Sequence, residues 1–150
     1  MPTASTAFLK LFRALPIFSG LDDGEIDALV QISNQTLYPA GKVIFNEGDS
    51  GIDACIIVRG SVDILLRGQS KPVSRLQGGS IFGEMAFLDG QPRAATAVAA
   101  EPTILLSLPR DGFQTICEKR PHLGMVVMNN IALDLSAKLR QVNVKLQSFF

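Results

Sequence analysis

Histidine is almost missing from this 150-residue chain: His122 is the only one. A multi-histidine metal cluster and a histidine-based nucleophile system are therefore both excluded within one chain. Lying just after Pro121, His122 reads as a surface residue at a helix start. Cysteine is scarce too. Cys55 and Cys117 stand far apart in apolar patterns, and read as small buried hydrophobes in a reducing, cytoplasmic setting. There is no excess charge of either sign, since 14 basic residues balance 14 acidic ones. A nucleic-acid binder would show a basic face, so no nucleic-acid contact is expected. No apolar run reaches the length of about 18 residues that a membrane span needs. Lys10 and Arg13 interrupt the apolar residues at the N-terminus, which argues against a secretory signal. No internal repeat is apparent. Gly78-Gly79 is not followed by Gly-Lys-Ser/Thr, so a P-loop reading fails. The acids Asp22, Asp23, Glu25 and Asp27 fit a solvated helix start better than a metal site, and no metal is expected.

What remains is an ordinary globular composition, 47% hydrophobic and 19% charged, with length enough for one domain with its own core. Phe8, Leu11, Phe12 and Leu15 recur at helical spacing until Pro16 stops them. Asp22 predicts an N-cap with Glu25 as its capping-box partner, and Ile26, Leu29 and Val30 give the second helix its apolar stripe. From Thr36 the pattern turns to short β-rich runs, over 43–45, 54–59, 61–67, 73–76, 96–99 and 104–108, punctuated by glycine-rich turns. That pattern predicts a β-sandwich or jelly roll. Helix resumes over 110–119, with Phe113, Ile116 and Cys117 inward, and again from Pro121. The organisation expected is a helical lead-in (1–35), a β-roll (36–109) and C-terminal helices (110–150) in one domain. The last helix carries Met125, Met128, Ala132, Leu135, Leu139, Val142, Leu146 and Phe149 at alternating spacings of three and four. Such a stripe must be covered. Either it packs back over the roll or two chains pair, and the length beyond Leu139 favours a homodimer through Met128, Ala132, Leu135, Leu139, Val142, Leu146 and Phe149.

The segment 82–98, FGEMAFLDGQPRAATAV, carries the chemistry. Gly83 lets backbone come close to a ligand. Glu84 follows it among small and apolar residues, and Arg93 comes after the turn signal Asp89-Gly90-Gln91-Pro92. Ala94, Ala95 and Thr96 leave backbone N–H groups unshielded beside the guanidinium. A fixed cation with exposed amide donors suits a phosphate, and a nearby carboxylate suits a sugar hydroxyl. Phosphate plus sugar means nucleotide.

In Phe82, Gly83, Glu84, Ala86, Gly90, Pro92, Arg93, Ala94 and Thr96 this segment resembles the phosphate-binding cassette of cyclic nucleotide-binding domains. That family includes the catabolite activator protein, regulatory subunits of cyclic-AMP-dependent protein kinase and nucleotide-gated channels. The resemblance extends from Leu15-Pro16-Ile17-Phe18 to the last helix. It implies a mainly β fold, an antiparallel β-roll (double-stranded jelly roll) with flanking helices. It also implies that Glu84 accepts from the ribose 2′-hydroxyl and that Arg93 pairs with the exocyclic phosphate oxygens. Backbone N–H groups near Gly83, Glu84 and Ala94 would cap the phosphate, with Met85, Ala95 and Thr96 in the same loop, and Ala86 would leave it room. The purine would lie between roll residues such as Val73 and Leu76 and a cap from 136–139, Ser136 included. Ala94 has no hydroxyl to meet a guanine amino group, so cyclic AMP is the expected ligand. The implied role is a non-catalytic sensor whose last helix moves or orders on binding. The alternatives are the sensor half of a catabolite-activator-type transcription regulator or of a channel, transporter or kinase, or a jelly-roll dimerisation module without ligand.

Overall fold

Strand and helix boundaries in this chain follow from where its apolar residues find cover. The computed structural model describes residues 6–148. Phe149 lies outside the described residues, as does the side chain of Phe8. Eight strands form two antiparallel sheets of four. The first sheet contains β1 (Asn34–Tyr38), β8 (Thr103–Leu108), β3 (Ala54–Arg59) and β6 (Ile81–Phe82), in that spatial order. The second contains β2 (Val43–Phe45), β7 (Thr96–Ala99), β4 (Ser61–Leu65) and β5 (Ser74–Gln77). This is the antiparallel β-roll with flanking helices that the cassette resemblance implies.

β3 shows how the layers are built. Its residues from Ala54 to Val58 are all buried, without the alternation of a strand that has one wet face. Successive side chains point to opposite faces, and here each face has its own core. Ala54, Ile56 and Val58 join the helices in one cluster, while Cys55 and Ile57 join Val62, Phe82 and Ala97 between the sheets. The chain leaves β3 for the other sheet at Gly60, whose φ is +108°. A Cβ there would stand 2.5 Å from Thr103 Oγ1 and 2.7 Å from the Pro102 carbonyl, so the corner requires glycine.

The helical layer begins with α1 (Thr6–Arg13), a turn of 3-10 helix at Pro16–Phe18, and α2 (Asp23–Ile32). Asp22 and Glu25 form the expected capping box, bonding each other's backbone N–H groups at 2.8 and 3.1 Å. α4 (Arg110–Lys119) and α5 (Pro121–Gln147) close the chain. Leu123, Val127 and Ile131 of α5 are buried in the helix-side core, each worth about 1.5–3 kcal/mol relative to exposure. Asn130 Nδ2 ties the helix further, donating to the carbonyls of Ile17 and Ser19 at 2.9 Å each.

The reading of one cysteine needs correction, and three other side chains make contacts that the sequence did not show. Leu135, assigned to chain pairing, packs on its own domain's core, because it continues the stripe of Leu123, Val127 and Ile131. Val142, also assigned to pairing, lines a cavity against the roll. Cys55 is buried as expected, but Cys117 is only half-buried. His122 is a surface side chain, yet its Nδ1 lies 3.0 Å from Glu25 Oε2 and joins the start of α5 to that of α2.

Candidate functional site

Between β6 and β7 the chain makes a six-residue helix, α3 (Glu84–Asp89), flanked by Gly83 and Gly90 in the left-handed conformation at φ +73° and +70°. Gly83 is constrained in space as well, since a Cβ would fall 2.6 Å from Arg93 Nη1. The first N–H groups of any helix lack an intrahelical acceptor. Residues 84–86, which carry them here, all line one cavity of about 390 Å³.

Arg93 is held there before any ligand arrives. It is 7% exposed, and its Nη1 donates to the carbonyls of Asp53 at 2.9 Å and Gly83 at 3.0 Å. Its guanidinium carbon stands 4.2 Å above the centroid of the Phe45 ring, a cation–π contact. The backbone is clamped too, with Arg93 N donating to Asp49 O and Gly48 N to Arg93 O. Two anchored donors on one nitrogen leave the other edge of a five-donor fork for an anion.

Glu84 is 4% exposed and shares the cavity with Arg93. Burial pushes its carboxyl above the usual range, and Lys138 of α5, 2.6 Å from Oε1, pulls it back. The remaining walls are mostly apolar: Ile64 and Leu76 from the second sheet, Leu66 and Val73 from the loop between β4 and β5, Phe82 from β6, and Met85. Such a cavity suits one small ligand with a flat apolar part and few polar handles.

Gly83, Glu84, Met85, Ala86, Arg93, Ala94, Ala95, Val73 and Leu76 all line this cavity. Thr96 does not: it opens β7, and its Oγ1 accepts from the Glu47 backbone N–H at 2.9 Å. Ser136 does not either, which corrects its placement as a cap. The α5 residues in the lining are Lys138, Gln141, Val142 and Lys145, spaced i, i+3, i+4, i+7 on one helix face. Ser136, two positions before Lys138, points off that face and is exposed. Gln141, Lys145 and Phe45 escaped the sequence reading, and Lys138 entered it only as part of the 136–139 cap. The polar residues Lys138, Gln141 and Lys145 at i, i+3 and i+7, around Val142 of the apolar heptad, were the available signal. Lys145 also donates to the Val73 carbonyl at 3.2 Å, holding the helix over the roll.

A buried arginine and a buried glutamate at the first turn of a short helix, inside an apolar β-roll, define a small-anion receptor of the nucleotide type. The family described as "Cyclic nucleotide-binding domain" matches residues 35–120, more than half of the chain, and the chain belongs to that family. It is 36% identical over 137 residues to the cyclic AMP receptor protein of Thermus thermophilus, covering 89% of this chain and 62% of that one. It is also 36% identical over 110 residues to a cAMP-dependent protein kinase regulatory subunit of Aspergillus niger, covering 73% of this chain and 26% of that one. The chain thus spans less than two thirds of the length of either relative. Its fold is that of a cyclic nucleotide-binding domain from Methylobacillus flagellatus, with a TM-score of 0.88 at 22% identity over 99% of this chain and 87% of that one. Among the described residues, no helix is long and apolar enough to cross a membrane.

Proposed function

We propose that this chain is a cyclic nucleotide sensor, with cyclic AMP as its ligand and no catalysis of its own. Residues 1–150 act as one cytoplasmic unit: a lead-in (1–35), a roll (36–109) carrying the cassette 82–98, and closing helices (110–150). The observation that carries this is the shared cavity of Arg93 and Glu84, both buried and both pre-positioned. Arg93 takes the exocyclic oxygens of the cyclic phosphate, with backbone N–H groups of 83–86 and 94–95 beside it. Glu84 accepts from the ribose 2′-hydroxyl. The purine lies against Val73, Leu76 and Val142, which supply apolar contact from the roll and from α5. The names of the relatives, a cyclic AMP receptor and a kinase regulatory subunit, support a regulatory role and this nucleotide.

Binding shifts α5 between positions over the cavity, and the difference in contacts between those positions supplies the coupling. The exposed stripe of Met128, Ala132, Leu139 and Leu146 pairs with a second chain. Titration calorimetry with cyclic AMP and cyclic GMP tests the ligand. Cyclic AMP is expected to bind more tightly, since Ala94 offers no hydroxyl to guanine. Arg93→Ala is expected to lose at least about tenfold in affinity, because a charge-assisted bond contributes about 1.5–3 kcal/mol. Unchanged affinity in that variant sinks the cassette assignment.

A further inference from the structure

Lys138 is tied into the cavity floor more completely than packing requires. Its ammonium donates to the Ile81 carbonyl at 2.7 Å and to Glu84 Oε1 at 2.6 Å. It also forms an ion pair with Asp134 Oδ2, one turn earlier on α5, at 2.8 Å but out of hydrogen-bonding alignment. One side chain therefore staples α5 to β6 and to the first residue of α3. Lys138 is itself about one-third exposed, whereas the carboxylate it holds is buried.

We propose that Lys138 is a positioning residue: it keeps the Glu84 carboxylate oriented and charged for the ligand's hydroxyl, and so makes hydroxyl recognition depend on where α5 sits. This rests on the reading of Glu84 as the acceptor for a sugar hydroxyl. A carboxylate has two oxygens and about four acceptor sites, so a bond to Oε1 leaves capacity for the hydroxyl. Without a counter-charge, a carboxyl this buried would take up a proton. Protonated, it would lose acceptor strength at the position where the ligand needs it. The other charged or titratable groups close by are Asp134 on α5, Arg93 beyond α3, Cys55 on β3 and Asp53 just before it. Arg93 bonds the Asp53 and Gly83 carbonyls through Nη1 and keeps its other edge for the ligand's anion, and the Cys55 thiol, pushed up to about 11 by burial, stays neutral. Lys138 bonds Glu84 from the α5 side of the cavity. When α5 lifts, Lys138 leaves with it and Glu84 loses its cation. By linkage, a ligand that uses Glu84 favours the docked helix, and the docked helix favours that ligand.

The test compares cyclic AMP with its 2′-deoxy analogue by calorimetry on the full chain and on Lys138→Met. The variant is expected to lose about tenfold in affinity for cyclic AMP and less than about twofold for the deoxy analogue. The cyclic AMP loss is expected to grow as pH falls, as the buried Glu84 carboxyl, without its cation, gains a proton. In a Glu84→Gln background, Lys138→Met is expected to add no further loss for cyclic AMP. Equal losses for both ligands would reduce Lys138 to a packing role and overturn the proposal, as would no loss for either. Lys138→Gln, which keeps length and polarity, gives the same comparison if the methionine variant does not fold. Should the unaltered chain bind neither ligand, the nucleotide reading itself falls, and the positioning role with it.

Discussion

Arg93 and Gly83 have to be understood together. The guanidinium bonds the Gly83 carbonyl at 3.0 Å, and its Nη1 occupies the space where a Cβ at position 83 would go. At φ +73° that Cβ would also be strained by the backbone. Gly83→Ala is therefore expected to lower stability by about 1–3 kcal/mol and to shift Arg93 out of register for its anion. Urea unfolding would read the first effect and ligand titration the second. Normal affinity in a folded Gly83→Ala variant would mean that the close approach is not needed. Arg93 itself was legible from sequence as a lone cation after a turn. Its partners were not: the Asp53 carbonyl lies 40 residues away, and the Phe45 ring meets it only once β2 and β7 have paired.

Among the elements, α5 has two faces with different tasks. Leu123, Val127, Ile131 and Leu135 seat its first half, and Lys138, Gln141, Val142 and Lys145 carry the same face on over the cavity. Met125, Met128, Leu139 and Leu146 remain exposed beside it, Leu139 at 63%. An exposed stripe at coiled-coil spacing is expected to pair. The double variant Leu139→Glu, Leu146→Glu should leave the fold intact and shift the chain to monomer in sedimentation. A monomeric unaltered protein would remove the pairing role. The heptad spacing was readable in the sequence, but it does not say which face meets the chain's own core. That is why the contacts of Leu135 and Val142 within their own chain were not read. The helix α3 was not readable at all: six residues are fewer than two turns, too few to show a period. The capping box of α2 was readable, because its bonds run only between residues three apart.

At the scale of the molecule, the cavity is where three parts of the chain meet. The roll supplies its walls, the cassette its polar floor, and α5 its cover. A ligand bound there but not to the unfolded chain should stabilise all three together, by about 2.7 kcal/mol at roughly a hundredfold excess over Kd. Cyclic AMP is thus expected to raise Tm in a concentration-dependent way, and a Tm indifferent to saturating nucleotide would contradict binding at this cavity. The two-core build that makes the cavity possible shows in β3, where neighbouring residues serve opposite layers.

Sequence alone determined what depends on neighbours along the chain: the capping box at Asp22, the run of β3, the turn at Gly90, and a cassette with one arginine and one glutamate in a recognisable order. These rest on backbone preference and short-range bonding, which a linear string records directly. Tertiary structure decided which helix face covers the cavity, and hence that Lys138 rather than Ser136 reaches Glu84 across 54 residues. Helix docking sets that rotation through the burial of Leu123, Val127 and Ile131, and a turn of about 100° per residue sends a neighbour two places away to the opposite side.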